Sequence, residues 1–190
     1  MTKINHLKEI AKSNKSFIIY KSDKGFDLYT DFSKKIILTN NNIKNFINKA
    51  RQFKSKKKET DLFIGFFGYE ILNNLIGIKL KKQKGLKFPK GIFYKPETKI
   101  KLQNRLDYNN LKLINSKKSF SVNIDKASYK VIFDKFKKKI KSGETYQIKI
   151  CTKYSNETKI DALDFFSRLV KTNMAPEAFM IKDKNYSIIS

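Results

Sequence analysis

The stretch Tyr129–Ile150, YKVIFDKFKKKIKSGETYQIKI, contains the sharpest change of hydrophobic periodicity in the chain. Apolar residues first recur at three- and four-residue steps, which is typical of one face of an amphipathic helix. They are Tyr129, Ile132, Phe133, Phe136 and Ile140. With Asp125 as a candidate N-cap and Gly143 as a candidate stop, the pattern predicts a helix over Lys126–Lys141. Beyond Gly143 the apolar residues alternate, which predicts a strand over Thr145–Tyr154.

The sequence after this stretch predicts one more helix and a β-hairpin. The segment IDALDFFSRLV has an apolar face at helical spacing, and a helix is expected over Lys159–Lys171. The segment EAFMIKDKNYSIIS reads as two short strands that turn at Asp183-Lys184-Asn185. Because the chain ends in the second strand, we expect it to be an incomplete protein.

The first half of the chain also predicts strands and helices in alternation. Ser16–Asn40 reads as three short strands with turns near Asp23-Lys24-Gly25 and Ser33-Lys34. A helix is expected over Asn42–Phe53, capped by Asn41 or Asn42. A buried strand is expected over Asp61–Phe67, and Gly91–Gln103 reads as two strands around Pro96-Glu97. The predicted fold class is therefore α+β, mainly antiparallel sheets with helices packed on their faces.

The amino-acid composition limits the possible classes of function but does not identify one. The chain has 190 residues, is 40% hydrophobic and carries a formal net charge of +25, so it can bury a core despite its charge. Such a charge invites a nucleic-acid-binding hypothesis. Only three of the 42 basic residues are arginine, however, and arginine is better suited than lysine to bind phosphates and bases. The lysines are spread along the whole chain, so compositional drift is the preferred explanation of the charge.

Single residues with reactive side chains give weak signals. His6 has no candidate base partner nearby, and Cys151 on a predicted strand is expected to be a small core residue. One cysteine excludes an intrachain disulfide and fits a reducing compartment. There is neither a secretory leader pattern nor an apolar run of about 18 residues, so a cytoplasmic location without a membrane span is expected.

Three motifs in order resemble component I of anthranilate synthase and of aminodeoxychorismate (para-aminobenzoate) synthase, which are chorismate-utilising enzymes. The first is IGFFGYE, with Gly65, Gly68 and Tyr69. The second is the strand start Gly143-Glu144-Thr145-Tyr146-Gln147, and the third is Asn173-Met174-Ala175-Pro176. The resemblance implies a partial anthranilate-synthase-component-I-like fold. It places an N-terminal domain over residues 1–118 and the incomplete start of a chorismate-binding domain over 119–190.

Within these enzymes the details favour aminodeoxychorismate synthase, a folate-pathway enzyme, over anthranilate synthase, a tryptophan-pathway enzyme. YQIKI is similar to the Tyr-Gln-Val-Asn-Leu form of the first group, although Lys149 replaces the usual Asn. MAPEAFMI is similar to its Ala-Pro-x-x-Ala-Phe form, and SDKGFDLY to its Arg-Phe-Asp-Ile segment. The alternative from another class remains a basic nucleic-acid-binding protein, which should gather its lysines on one face.

The resemblance also implies a reaction and its partners. Ammonia from a separate glutamine amidotransferase subunit adds to chorismate, while Mg²⁺ neutralises the substrate carboxylate and helps to expel a hydroxyl. The catalytic and Mg²⁺-binding carboxylates of these enzymes lie beyond the part that this chain matches. No catalytic or metal-binding residue is therefore assigned here, and the chain alone is expected to be inactive.

The resemblance places one ligand pocket within the chain. In these enzymes a tryptophan site lies between the N-terminal sheet and the proline-containing segment. Carried over by position, the pocket would use Ser22, Gly25, Phe26, Pro176, Glu177 and Ala178. Glu177 departs from the usual residue, and its carboxylate would repel that of the ligand unless it turns outward. Tyr146 and Gln147 are either ordinary strand residues or a functional or subunit contact.

Overall fold

The structure, a computed structural model, describes residues 7, 9–11, 13, 15–51, 58–78, 89–102, 106, 120–157 and 160–190. The packing of the chain divides it into two compact units. One comprises residues 1–110 and 161–190, and the other comprises residues 111–160. The domain boundary predicted at residue 118 remains a prediction, but residues 161–190 lie in the same compact unit as the N-terminal strands.

Within the described residues, eight strands and four helices have defined bounds. The strands are β1 Phe17–Ser22, β2 Gly25–Ile37, β3 Ile64–Phe67, β4 Gly91–Lys101, β5 Ser121–Val122, β6 Tyr154–Ser155, β7 Ala178–Lys182 and β8 Ser187–Ile189. The helices are α1 Ile43–Arg51, α2 Tyr69–Leu75, α3 Lys126–Lys141 and α4 Ala162–Asn173. The α+β class with mainly antiparallel sheets is confirmed. Residues 52–57, including the predicted helix end at Phe53, lie outside the described part.

Six strands of the first unit form one antiparallel sheet in the order β3-β4-β2-β1-β7-β8. β1 lies inside this sheet, where Ile19 pairs with Leu28 of β2 and with Met180 of β7. Because successive side chains of a strand point to opposite faces, Ile18 and Ile19 belong to different cores. The predicted hairpin is confirmed, and it completes the sheet that the N-terminal strands begin.

Helix α4 covers one face of the sheet. Leu163 and Phe166 of α4 are buried in the cluster that holds Phe17, Ile19 and Met180. The helix begins where the Asp161 carboxylate accepts the N–H of Asp164 at 2.8 Å, a standard N-cap. The amphipathic helix predicted for this segment is therefore confirmed, and its apolar face packs as expected.

Two predicted strand breaks are wrong. Ser33-Lys34 is not a turn, because β2 continues through it as a bulge: Phe32 pairs with Pro96 while Lys34 pairs with the adjacent Lys95. A bulge places one extra residue in a strand, and its polar sequence resembles that of a turn. Likewise Pro96 does not end a strand, since β4 runs unbroken over Gly91–Lys101. Proline is tolerated there because Pro96 lies beyond Tyr94, where β3 ends its pairing, so among the described residues no strand pairs with β4 on that side at Pro96.

A buried carboxylate links the turn of the C-terminal hairpin to strands β2 and β4 of the sheet. Asp183 is only 4% exposed, and its carboxylate accepts hydrogen bonds from Tyr94 of β4 and from Lys35 of β2, the latter at 2.6 Å. Burial alone would raise the pKa of Asp183, but Lys35, Tyr94 and the Lys184 N–H outweigh it and hold that pKa below its usual value. Burial and the same contact with Asp183 raise the pKa of Tyr94.

The described part of the second unit contains helix α3 and the short β5-β6 pair. The bounds predicted for α3 are confirmed, with the Asp125 side chain accepting the Ser128 N–H at 2.7 Å. Its end is a Schellman motif, in which Gly143 at φ +76° and Glu144 donate to the carbonyls of Ile140 and Lys139. The expected packing of this helix on a sheet is wrong, because none of its residues is buried and Phe133 is 45% exposed.

Gly65 generates the first prediction, because β3 and β4 approach closely there. A Cβ on Gly65 would lie 1.9 Å from the Ile92 carbonyl oxygen of the neighbouring strand, so Gly65→Ala forces the strands apart. A Cβ on Gly77 meets nothing within 4 Å, and its φ of +78° makes alanine cost only about 1–2 kcal/mol. We expect Gly65→Ala to lower the free energy of unfolding by at least about 2 kcal/mol more than Gly77→Ala. Urea titration of both variants measures this, and equal losses would contradict the predicted clash.

Asp183 generates a pH prediction. A carboxylate whose pKa is depressed by folding stabilises the fold above its unfolded pKa of about 3.9, and this contribution is lost as pH falls through the folded pKa. We expect Asp183→Asn to cost about 1–3 kcal/mol at pH 7 and to flatten the fall in stability between about pH 5 and pH 2. Asp134→Asn, the same change on an exposed helix position, is the control. An unchanged pH profile in Asp183→Asn would refute the role of this carboxylate.

Candidate functional site

The turn between β1 and β2 lies beside the segment that leads into β7. Ser22 pairs with Gly25 across the turn, and Lys21 pairs with Phe26 on one side and with Ala178 on the other. This register places the β1–β2 turn next to Pro176 and Glu177, which immediately precede Ala178. The structure thus brings the six predicted pocket residues into one region.

The six residues do not all face an open pocket. Phe26 and Ala178 are 3% and 8% exposed, and both lie in the core cluster below α4. Gly25 has a φ of +103°, a conformation that glycine adopts without strain, so its role is to close the turn. Ser22 accepts the Lys24 N–H at 3.2 Å within the same turn. Pro176 and Glu177 remain exposed.

Lys21 is a site residue that the sequence did not reveal. Its ammonium nitrogen donates to the carbonyl oxygens of Ala175, at 2.6 Å, and of Pro176, at 3.2 Å. Both carbonyls follow the end of α4, where Met174 caps the helix in the left-handed conformation at φ +48°. A lysine on an alternating strand carries no sequence signal for this role, because its partners lie more than 150 positions away.

Glu177 has turned toward Tyr20 on the neighbouring strand. A hydrogen bond with the Glu177 carboxylate is the largest cause that raises the pKa of Tyr20. Tyr20 pairs with Phe179, so it lies on the face of β1 opposite to Lys21. The Glu177 carboxylate is thus exposed and engaged away from the Lys21 ammonium, which weakens the repulsion expected against a ligand carboxylate.

The two glycines of the first motif lie where backbone segments approach each other closely. Gly65 pairs with Phe93 in the β3-β4 ladder, and Gly68 donates its N–H to the Lys90 carbonyl at 2.6 Å. A Cβ on Gly68 would lie 2.2 Å from that carbonyl oxygen. Tyr69, the first residue of α2, is 73% exposed. The motif therefore fixes a strand-to-helix transition and leaves an exposed tyrosine beside it.

The second and third motifs sit at helix ends. Gly143 ends α3, and Asn173 is the last residue of α4. The strand predicted over Thr145–Tyr154 is wrong, since the only strand that the structure describes there is the two-residue Tyr154–Ser155, which pairs with Ser121–Val122. Tyr146 is 93% exposed and Gln147 is exposed as well, so neither is an ordinary sheet residue. Alternating apolar residues, such as those after Gly143, do not form a stable strand without a partner strand to pair with.

The acidic groups of the described residues do not fit a Mg²⁺ site. Such a site needs several oxygen ligands converging on one point. Among the residues that the structure describes, no group of three or more histidine, cysteine, aspartate or glutamate side chains is placed to hold a metal ion. Asp183, a buried carboxylate with a depressed pKa, is already bound to Lys35 and Tyr94.

Residues 6–190 match the family of chorismate binding enzymes, and the chain belongs to this family. The match covers nearly the whole chain, including both strands of the hairpin and the β1–β2 turn. No curated protein matches the chain. In the part that the structure describes, no helix has the length and apolar character needed to cross a membrane.

Cys151 generates the prediction for the segment after α3. It lies in the irregular stretch that precedes β6 and is exposed, so the expectation of a core cysteine is wrong. We expect the thiol of the native chain to react completely with Ellman's reagent, at a rate close to that of the chain in denaturant. The measurement is the absorbance of the released thiolate at one equivalent per chain. A thiol that reacts only after denaturation would show that this segment is packed.

Proposed function

We propose that this member of the chorismate binding family is the N-terminal portion of the large subunit of a chorismate-aminating synthase. We further propose that the product is aminodeoxychorismate, with anthranilate as the alternative. The observation that carries the proposal is the family match, which runs from residue 6 to residue 190 through both the N-terminal strands and the C-terminal hairpin. The proline-containing segment of that match sits against the β1–β2 turn.

Three local features support the choice of product. The segment Ala175-Pro176-Glu177-Ala178-Phe179 resembles the Ala-Pro-x-x-Ala-Phe form of aminodeoxychorismate synthases, with one residue fewer between the proline and the second alanine, and its Ala178 is buried under α4. A larger residue at this position would displace the neighbouring Phe26 from the same core. The segments YQIKI and SDKGFDLY add sequence support, while Lys149 departs from the pattern.

The proposed reaction replaces a hydroxyl of chorismate with an amino group. Ammonia forms the new carbon–nitrogen bond, the carbon–oxygen bond breaks, and water leaves. We propose a glutamine amidotransferase subunit as the source of the ammonia. Mg²⁺ is the proposed cofactor of the complete enzyme, where it would offset the negative charge of the substrate carboxylate. The described residues do not form its site, so its ligands are proposed to lie outside them.

The contribution of this chain to such an enzyme is structural and positional. Its six-stranded sheet holds the β1–β2 turn against the proline-containing segment, and the ion pair of Asp183 with Lys35 fixes the far end of the hairpin. Groups used in catalysis must be held in fixed positions before the reaction, and a sheet with a packed core on each face supplies that rigidity.

An activity assay tests this proposal. We expect the 190-residue chain to consume no chorismate with saturating ammonia and Mg²⁺, because its described carboxylates do not converge on one site. A protein that continues the chain through the rest of a chorismate-binding domain should consume chorismate and release aminodeoxychorismate, identified by chromatography and mass spectrometry.

Three outcomes would count against parts of the proposal. Turnover by the 190-residue chain would show that its active site lies within these residues. Release of anthranilate by the longer protein would favour the alternative product. A longer protein that binds chorismate but incorporates no ammonia would reject amination altogether. Heat-denatured protein is the control, since chorismate also decomposes slowly in solution.

A further inference from the structure

Helix α3 carries an exposed apolar strip along one side. Its members are Tyr129, Phe133 and Ile140, which are 39%, 45% and 42% exposed. Steps of four and seven residues keep them on one side of an α-helix with 3.6 residues per turn. The Tyr129 and Phe133 rings lie nearly parallel, with centroids 6.4 Å apart and an interplanar angle of 16°. The neighbouring Ile132 and Phe136 are half-buried, so this strip is the part of the apolar face that a partner can reach.

A strip of lysines lies directly beside the apolar strip. Steps of four, seven and four residues place these lysines on one side of the helix, and they are Lys126, Lys130, Lys137 and Lys141. The Lys137 ammonium lies 5.9 Å from the centre of the Phe133 ring. Among the ion pairs between described residues none involves these four lysines, whereas Lys139, further round the helix, pairs with Glu144. The four charges are therefore available to a partner.

The two strips border a groove with a volume of about 590 Å³. It is lined by Lys126, Ala127, Tyr129, Lys130 and Phe133. Lysine stems can stay on apolar surface while their ammonium groups reach outward. A partner that fits this side of α3 must therefore offer apolar groups to the rings and anionic groups to the ammonium groups.

An anionic lipid bilayer has this combination, because its acyl chains lie below a layer of charged headgroups. The helix carries seven lysines, one aspartate and no arginine. Anionic headgroups attract lysine and arginine alike, since the attraction depends on charge, whereas nucleic-acid recognition favours the arginine guanidinium. The composition of α3 therefore favours a lipid surface over a nucleic acid.

We propose that α3 docks on an anionic lipid surface, with its apolar strip at the level of the headgroups and its lysine strip against their phosphates. The helix lies parallel to the surface, as amphipathic helices with a basic flank do. Local caps at Asp125 and Gly143 already hold the helix, so docking does not have to fold it. This surface is additional to the proposed function and does not rest on it.

Vesicle flotation of the 190-residue chain tests the lysine strip. We expect the chain to bind vesicles of equal parts phosphatidylserine and phosphatidylcholine, and not vesicles of phosphatidylcholine alone. A lysine near an anionic surface contributes about fivefold in affinity, so Lys130→Gln combined with Lys137→Gln should weaken binding about 25-fold. Lys135→Gln combined with Lys138→Gln is the matched control. It removes the same charge from the other side of the helix, about a Debye length farther from the lipid, and should weaken binding less than about threefold.

A second pair of variants tests the apolar strip. Val131 is 69% exposed but lies on the far side of α3 from Phe133. Phe133→Ser should weaken binding at least about tenfold, and Val131→Ser should leave it unchanged. Circular dichroism checks that both variants keep their helices. Because the chain has no tryptophan, Phe133→Trp adds a single emitter whose fluorescence should shift to the blue on anionic vesicles, whereas that of Val131→Trp should not.

Equal losses in the lysine-strip variant and its control would overturn the proposal, as would an unshifted emission of Phe133→Trp. Preference for a single-stranded oligothymidylate over the vesicles, lost in Phe133→Ser, would overturn it in favour of a nucleic acid. A dimer that Phe133→Ser dissociates in sedimentation velocity would overturn it in favour of a second copy. Failure of the longer protein of the activity assay to bind vesicles would overturn it by showing that α3 is covered there. None of these measurements uses chorismate, so each outcome leaves the proposed function to its own assay.

Discussion

The antiparallel pairing of β1 with β7 is the constraint on which the rest of the first unit depends. It places Lys21 beside Ala178 and Phe17 beside Lys182, which joins the two ends of the chain in one sheet. The core below α4 then closes, since Phe166 and Met180 come from one end and Phe17 and Ile19 from the other. Two polar contacts also span this pairing: Lys21 with Ala175 at the site, and Lys35 with Asp183 at the far end of the hairpin.

The local sequence predicted those elements whose signals are local. Asp125 and Gly143 mark the ends of α3 because a cap and a left-handed stop act within a few residues. The hairpin turn at Asp183–Asn185 follows the same logic. The predictions of turns at Ser33 and Pro96 were wrong, because the bulge and the unbroken strand there depend on pairing between β2 and β4. At both positions, pairing with the neighbouring strand outweighs the local preference of the sequence for a turn.

The site shows the same division between local and distant causes. Its six residues were predicted from a family resemblance and not from local patterns. Such a resemblance, carried over by position, already reflects contacts between distant parts of the chain. Lys21 and Asp183 were missed as functional or organising residues, since a lysine and an aspartate in a turn are ordinary surface residues by composition. Their importance comes from partners far along the chain: the Ala175 carbonyl for Lys21, and Tyr94 and Lys35 for Asp183.

The described residues of the two units differ in how many apolar side chains they bury, and this predicts a difference in local stability. Those of the first unit form three core clusters, whereas α3 in the second has no buried residue and exposes Val131, Phe133 and Ile140. Regions with few buried apolar contacts open at low free energy. The strong caps of α3 can keep it helical locally, but caps and seven lysines cannot replace a core. The motif at Gly143–Gln147 therefore lies on the less stable unit, while the Lys21 site lies on the more stable one.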